Sequence, residues 1–194
     1  IAKSKEVLRI GKIDKIRSNL NVLINNNIAL EKISKCTAVL IRNNSFKIEE
    51  ILKVLENYGI QKEKIERCLL VLAEGKGQEI ADILTVLDEN RISKEKIENC
   101  LYILAKGKKQ EMEDILKVLE KHKISKEKIE NCLLVLAKGK AQEIEDILKV
   151  LEKHEISKGK IERCLSVFAQ GKTQGKAQEI ENIFKVLEKH GIQK

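Results

Sequence analysis

The sequence predicts an all-α protein, an α-solenoid of two-helix repeats about 32 residues long that wind into a superhelix. Three observations lead there. One phrase recurs along the chain, opening at Ile28, Ile60, Ile92, Ile124 and Ile156, each 32 residues after the last. Within each copy the apolar residues return at helical spacing. No proline occurs anywhere to interrupt a helix. The predicted organisation is a basic half repeat at 1–27, then repeats at 28–59, 60–91, 92–123 and 124–155. A fifth follows at 156–191, with the start of another at 192–194. The fifth is four residues longer because 171–174 (GKTQ) is followed by a near-copy, 175–178 (GKAQ).

In the half repeat, Gly11-Lys12 matches the loop of a full repeat, and Leu20, Val22 and Leu23 match its second helix. The clearest full copy, ISKEKIENCLLVLAKGKAQEIEDILKVLEKHE, runs from Ile124 to Glu155. Ser125, echoed by Ser93 and Ser157, is the candidate N-cap of its first helix. Ile129, Cys132, Leu133 and Leu136 then fall at i, i+3, i+4 and i+7, one apolar stripe. Lys138-Gly139-Lys140 breaks the pattern, and Ile144, Ile147, Leu148 and Leu151 repeat the spacing on a second helix. Glu143, Glu145 and Asp146 crowd the start of that helix and Lys153 and His154 its end, as the helix dipole favours. Gly59 and Gly191 stand where a C-terminal cap belongs. Val135 and Val150 lie off the two stripes, so a neighbouring repeat is needed to cover them.

The five cysteines, Cys36, Cys68, Cys100, Cys132 and Cys164, fall one per repeat beside Leu or Ile. None has a near neighbour of the C-x-x-C kind, so they read as free core side chains in a reducing compartment. His122, His154 and His190 share one place near the end of the second helix, where Tyr58 and Asn90 stand in other repeats. Their recurrence follows from duplication, and a helix-end His reads as a dipole partner or cap. No metal or other cofactor is expected. Alternating charges such as Lys126-Glu127-Lys128 read as a solvated face. With no P-loop, no G-x-S-x-G and no nucleophile–base pair, the chain is not expected to be an enzyme or to take a small-molecule substrate. Its longest apolar runs, such as 132–137, are too short to span a bilayer, and no membrane partner is expected.

The inter-helix loop carries the functional signal. It reads Gly75-Lys76-Gly77-Gln78, Gly107-Lys108-Lys109-Gln110 and Gly139-Lys140-Ala141-Gln142, then Gly171-Lys172-Thr173-Gln174 and Gly175-Lys176-Ala177-Gln178. Free amides at a helix start, a cation and an amide side chain suit a phosphate. The residue before each Gly varies: Glu74, Lys106, Lys138 and Gln170, with Arg42-Asn43 in the first repeat. A constant clamp beside a variable side chain is what modular reading of a polymer needs. The other reading is that Gly caps the first helix and Lys and Gln are merely soluble. Charge favours the clamp. The chain is +8, and residues 1–27 supply +4 of it through Lys3, Lys5, Arg9, Lys12, Lys15 and Arg17 against Glu6 and Asp14. Such a leader suits loading onto nucleic acid, and equally an acidic protein or membrane surface. Aromatic residues make up only 3% of the chain, which leaves no stacking platform for single strands.

The pattern resembles the repeats of transcription activator-like effectors. Ile124-Ser125-Lys126-Glu127-Lys128-Ile129 corresponds to their opening phrase, Gly139-Lys140-Ala141-Gln142 to their loop, and Val150–His154 to their closing helix. The family's closing His-Gly is literal at His190-Gly191. The resemblance implies a right-handed superhelix around duplex DNA with loops in the major groove, about one repeat per base pair. The first helix is longer here, one Gly replaces two, and Lys or Glu stands at the variable place, so no base code transfers. The chain is also similar to mitochondrial transcription termination factors in its Gly-Ile-Ser-Lys-Glu-type opening and repeat length, without their proline after the first helix. The expected function is therefore double-stranded DNA binding through the Gly-Lys loops, with a protein scaffold or RNA binding as alternatives. The expected location is a bacterial cytoplasm, or a host cell nucleus for an effector.

Overall fold

The computed structural model describes residues 13–168 and 175–190, and every regular element among them is a helix. The half repeat contributes α1 (Ile13–Asn25). The next three repeats contribute α2 (Leu30–Lys35), α3 (Ala38–Ile41) and α4 (Ser45–Asn57); α5 (Lys62–Arg67), α6 (Leu70–Glu74) and α7 (Gly77–Glu89); α8 (Lys94–Asn99), α9 (Tyr102–Lys106) and α10 (Lys109–Lys121). The last two give α11 (Lys126–Asn131), α12 (Leu134–Lys138) and α13 (Ala141–Lys153), then α14 (Lys158–Arg163), α15 (Leu165–Phe168) and α16 (Lys176–Lys189). Gly191 and the restart at Ile192 lie outside the described residues.

Each repeat thus holds three helical segments where two were expected. The expected first helix breaks at its cysteine, where Cys68 takes φ −133° and ψ 59° and Cys132 takes φ −135° and ψ 50°. The physical reason lies in the segment after the break. Leu69, Val71, Leu72 and Ala73 are all buried, and so are Leu133, Val135 and Leu136. A segment apolar on every side cannot be enclosed while continuing the line of an amphipathic helix. The cysteines stand at the bend and not in the core: Cys36, Cys68, Cys100 and Cys132 are half-buried and Cys164 is exposed. Burial still pushes the Cys68 and Cys132 thiols up, which keeps them protonated and poor nucleophiles.

The long helices end alike. Asn27, Gly59, Arg91, Lys123 and Glu155 each take a positive φ, between 55° and 79°. The amide that follows each donates five residues back, Ile28 to Leu23 and Ile124 to Leu119 both at 2.9 Å. This is a Schellman closure, in which the repeat-opening isoleucine also packs on the helix it caps. Four of the five left-handed positions are not glycine.

The chain divides into two compact units, Ile1–Lys106 and Gly107–Lys194. In the first, α1, α4 and α7 stack in order as one layer and α3, α6 and α9 as a second. In the other, α10, α13 and α16 form the long-helix layer, and α12 packs on α15. Ile48, Ile51, Leu55, Ile80, Ile83 and Leu87 fill the space between layers in the first unit. Ile115, Leu119, Ile144 and Ile147 do so in the second.

Helix starts are closed from outside the repeat. Ser93, Ser125 and Ser157 hold the N-cap position, but none uses its side chain as a cap. The Ser125 amide donates instead to Glu162 of the next repeat at 2.8 Å, which holds that carboxyl below its usual range. The Ala29 amide donates likewise to Glu66 at 2.9 Å and the Gln61 amide to Glu98 at 3.3 Å. Long-helix ends reach forward too. Tyr58 donates to Asp88, His122 Nδ1 lies 2.6 Å from Glu152, and Lys121 lies 2.5 Å from Glu145. His154 sits between Glu181 (2.9 Å) and Glu188 (3.1 Å) and stacks on Phe184, ring centroids 4.3 Å apart. A carboxylate of the last long helix thus faces each ring nitrogen of His154.

Two predictions follow from these closures. Lys123→Gly removes a left-handed penalty of roughly 1–2 kcal/mol and adds chain entropy worth about 0.5–1 kcal/mol, so a net gain of about 0.5 kcal/mol is expected. A urea titration should show a higher midpoint at unchanged slope. Lys121 and then Lys149 hold the Glu145 carboxyl down at about 2, and Lys153 and then His154 do the same for Glu181, against an ordinary value of 4.5. Their stabilisation is complete above about pH 4.5 and is lost as the pH falls toward 2. Glu181→Gln should therefore flatten the loss of thermal stability between these pH values, and an unchanged profile would count against the assignment.

Candidate nucleic-acid interface

Each Gly-Lys loop joins the short apolar segment to the long helix. Gly75 and Gly139 close the short segments, their amides donating to Val71 and Val135 at 2.9 and 2.8 Å. Both have φ −68°, which any residue can adopt. What requires glycine is close approach. A Cβ at Gly75 would stand 2.4 Å from the Val71 carbonyl oxygen and 2.7 Å from Ile80 Cδ1. At Gly139 it would stand 2.5 Å from the Val135 carbonyl and 2.8 Å from Ile144 Cδ1. The glycine therefore lets the long helix start directly against the segment before it. Gly107 is buried in the same way.

The lysine after the glycine is the N-cap of the long helix. Lys76, Lys108 and Lys140 share an extended backbone, with φ between −129° and −124°, and all three are exposed. Lys76 pairs with Glu79 at 3.3 Å, whereas Lys108 and Lys140 make no ion pair among the described residues. Lys176 pairs with Glu179 at 2.6 Å and Lys109 stands 4.0 Å from Glu113. Lys12, Gln170, Gly171 and Lys172 lie outside the described residues.

The remaining parts of the expected phosphate clamp are engaged within the protein. Gln78, Gln110 and Gln142 turn along their own helices and donate to Asp82, Asp114 and Asp146 at 2.9, 3.1 and 2.8 Å. Gln178 does the same with Asn182 at 3.0 Å. The Ala141 amide donates to Glu111 of the preceding long helix at 2.8 Å. The Glu50 carboxylate lies so close on Gly77 that a Cβ there would stand 2.3 Å from its Oε1. A helix start attracts an anion, and here the anion is a neighbouring carboxylate. What the loops offer a partner is the lysine charge.

The variable position behaves similarly. Glu74 lies between Arg42 and Lys106 and pairs with both, its side chain only 11% exposed. Three successive repeats thus join their variable residues in one charge ladder. Lys138 is exposed. The first repeat replaces the Gly-Lys loop with Asn43-Asn44. Asn44 caps α4 locally through the Lys47 amide at 2.9 Å, and Asn43 donates across to the carbonyls of Leu72 (2.8 Å) and Gly75 (3.1 Å). Lys15 and the buried Asn19 of α1 close α3 in the same manner, donating to Ile41 at 2.6 Å and Leu40 at 3.0 Å.

Sequence reasoning missed the capping glutamates. A signal existed, because Glu66, Glu98, Glu130 and Glu162 recur 32 residues apart, but Lys64, Lys96, Lys128 and Lys160 recur beside them just as regularly. Among the described residues no group of three or more His, Cys, Asp or Glu is placed to hold a metal ion, and no helix is long and apolar enough to cross a membrane.

The ladder makes a testable statement about the variable position. Glu74→Gln leaves two half-exposed cations facing a shielded amide. The expected cost is about 1–2 kcal/mol, discounted because both cations can turn to water. Adding Arg42→Gln should recover part of it. Additive losses in the double variant would show that the two side chains do not communicate.

No protein family matches the chain, and no curated protein or solved structure does either.

Proposed function

We propose that this protein is a non-enzymatic helical-repeat array that binds double-stranded DNA through the lysines of its inter-helix loops. The observation that carries the reading is the identical placement of Lys108 and Lys140: exposed, unpaired, and each heading one of two long helices that stack directly. Stacked helices stand about 8–10 Å apart. At about 3.4 Å of duplex axis per step, such lysines meet phosphates two to three steps apart. The net charge of +8 supports the same partner. The reading includes a solenoid arrangement, supported by the strict order in which like segments stack inside each unit.

Sequence selectivity has less support than backbone binding. Arg42, Glu74 and Lys106 are committed to one another, and the Ala141 amide and the loop glutamines to the protein itself. The three-segment repeat fits the termination-factor resemblance better than the two-helix effector one, because a proline after the first helix would break the chain in the same region. Both resemblances point to nucleic acid. The inward commitment of the loop groups favours one other reading, a protein-binding scaffold whose loops serve packing alone.

Titrating duplex DNA at several salt concentrations separates them. Each phosphate contact contributes a slope of about −0.9 in log K against log salt. Lys108→Ala and Lys140→Ala should each flatten that slope by about one contact and weaken all sequences alike. Lys126→Ala, at the far end of the repeat, should leave it unchanged. Lys106→Gln should not alter base preference. Equal losses at Lys126 and Lys140 would mean diffuse attraction, and absence of binding at low salt would turn the reading to the scaffold.

A further inference from the structure

The start of the first full repeat's long helix departs from the pattern that the later repeats keep. Near the start of each later long helix stand Gln and Glu, as Gln78-Glu79, Gln110-Glu111, Gln142-Glu143 and Gln178-Glu179. In α4 the same two places hold Phe46 and Lys47. Phe46 is 73% exposed. The position faces outward wherever it occurs, because Gln78, Gln110 and Gln142, each with a full repeat before it, are exposed as well. Lys47 is exposed too and makes no ion pair among the described residues.

Packing asks for neither exchange. Glu111 holds the first amide of the next long helix, at Ala141, but at Gly77 the nearby carboxylate is that of Glu50, so position 47 is free of that duty. A solvated phenyl ring buries nothing where the other repeats carry an amide. Its mount is firm: Asn44 caps α4 through the Lys47 amide at 2.9 Å, and Asn43 ties the loop to the carbonyls of Leu72 and Gly75. Because α4 stacks directly on α7, the ring stands beside the helix that Lys76 heads, with axes roughly 8–10 Å apart. Glu49 stays exposed a turn further along α4. An aromatic face next to an unpaired cation suits a nucleotide, the ring stacking on the base and the cation meeting the phosphate. One ring cannot hold a strand, but it can hold one base.

We propose that Phe46 is a base-stacking residue with Lys47 as its phosphate contact, so that the protein prefers duplex DNA carrying an unpaired base over intact duplex. The bases of an intact duplex are stacked on one another, and exposing a face is least costly where pairing has already failed. The role rests on the duplex-binding reading and adds one base to its backbone contacts.

Two duplexes of one length, one perfect and one with a single unpaired thymine at its centre, are titrated against the full chain. The interrupted duplex should bind about tenfold more tightly. Phe46→Gln, which restores the residue of the other repeats, should remove that preference and leave the salt slope on perfect duplex unchanged. Phe46→Tyr should keep the preference. Lys47→Ala should weaken the interrupted duplex and flatten its salt slope by about one contact. Equal affinity of the native chain for the two duplexes would overturn the proposal and leave the duplex-binding reading standing, and so would a preference that survives Phe46→Gln. Absence of binding to either duplex at low salt would overturn both. Self-association of the chain that Phe46→Gln abolishes would make the ring a contact between proteins and overturn the base-stacking role as well.

Discussion

The constraint on which the structure depends is that a repeat of this kind cannot close its own helices. Short helices leave most of their amides and carbonyls without intrahelical partners, and a six-residue segment such as α11 is nearly all terminus. The N-cap serines do not cap their own helices with their side chains. The acceptors come from elsewhere: Glu162 for Ser125, Glu66 for Ala29, Glu111 for Ala141. Each such bond crosses a repeat boundary, so helix capping and inter-repeat cohesion are the same interaction. Isolated hairpins would lose both together, which is why nearest-neighbour coupling is expected to be strong here.

That economy bears on function. A helix start with free amides is a ready anion site, and the Gly-Lys loops resemble one in sequence. In the folded chain the amide at Ala141 is already held by a carboxylate, and the glutamines lie along their helices. The glycines are explained by contact with Val71, Val135, Ile80 and Ile144, without reference to any ligand. Only the lysine remains outward. The partner we propose would therefore meet point charges on long flexible stems, which suit the regular backbone of a polyanion better than a single shaped anion.

The repeat was legible because local periodicity is written in consecutive residues. The spacing of Ile144, Ile147 and Leu148 reports a buried helix face directly. The break at each cysteine was not, because Ile129, Leu133 and Leu136 satisfy the continuous-helix pattern and are all buried in the broken one as well. Only Val135, fully buried off the stripe, hinted that the segment had turned. The cross-repeat partners were harder still. A glutamate that caps an amide 37 residues away looks like any surface glutamate until stacking brings the two together. Charge alternation on a helix surface therefore undercounts structural carboxylates wherever repeats stack.

The four-residue insertion in the last repeat shows which side of the array can vary. It separates His154 from Glu188 by 34 residues, where His122 and Glu152 are 30 apart, and Lys153 from Glu181 by 28, where Lys121 and Glu145 are 24 apart. The spatial pairs are kept, so the long helix retains its register despite the four extra residues in the sequence before it. Gly175, at φ 76°, begins the helix without a side-chain cap. At the opposite end of the long helices nothing comparable occurs. The left-handed residue returns at Asn27, Gly59, Arg91, Lys123 and Glu155 without any change of spacing, even where a side chain must bear the strain. Packing fixes that edge, because the Schellman closure and the buried isoleucine after it leave no room for another residue. The loop edge has already accepted Asn43-Asn44, Gly-Lys-Gly and a doubled Gly-Lys element. Variation tolerated at the start of the long helices places the adaptable surface at that end of each, the end headed by Lys76, Lys108 and Lys140 in their own repeats.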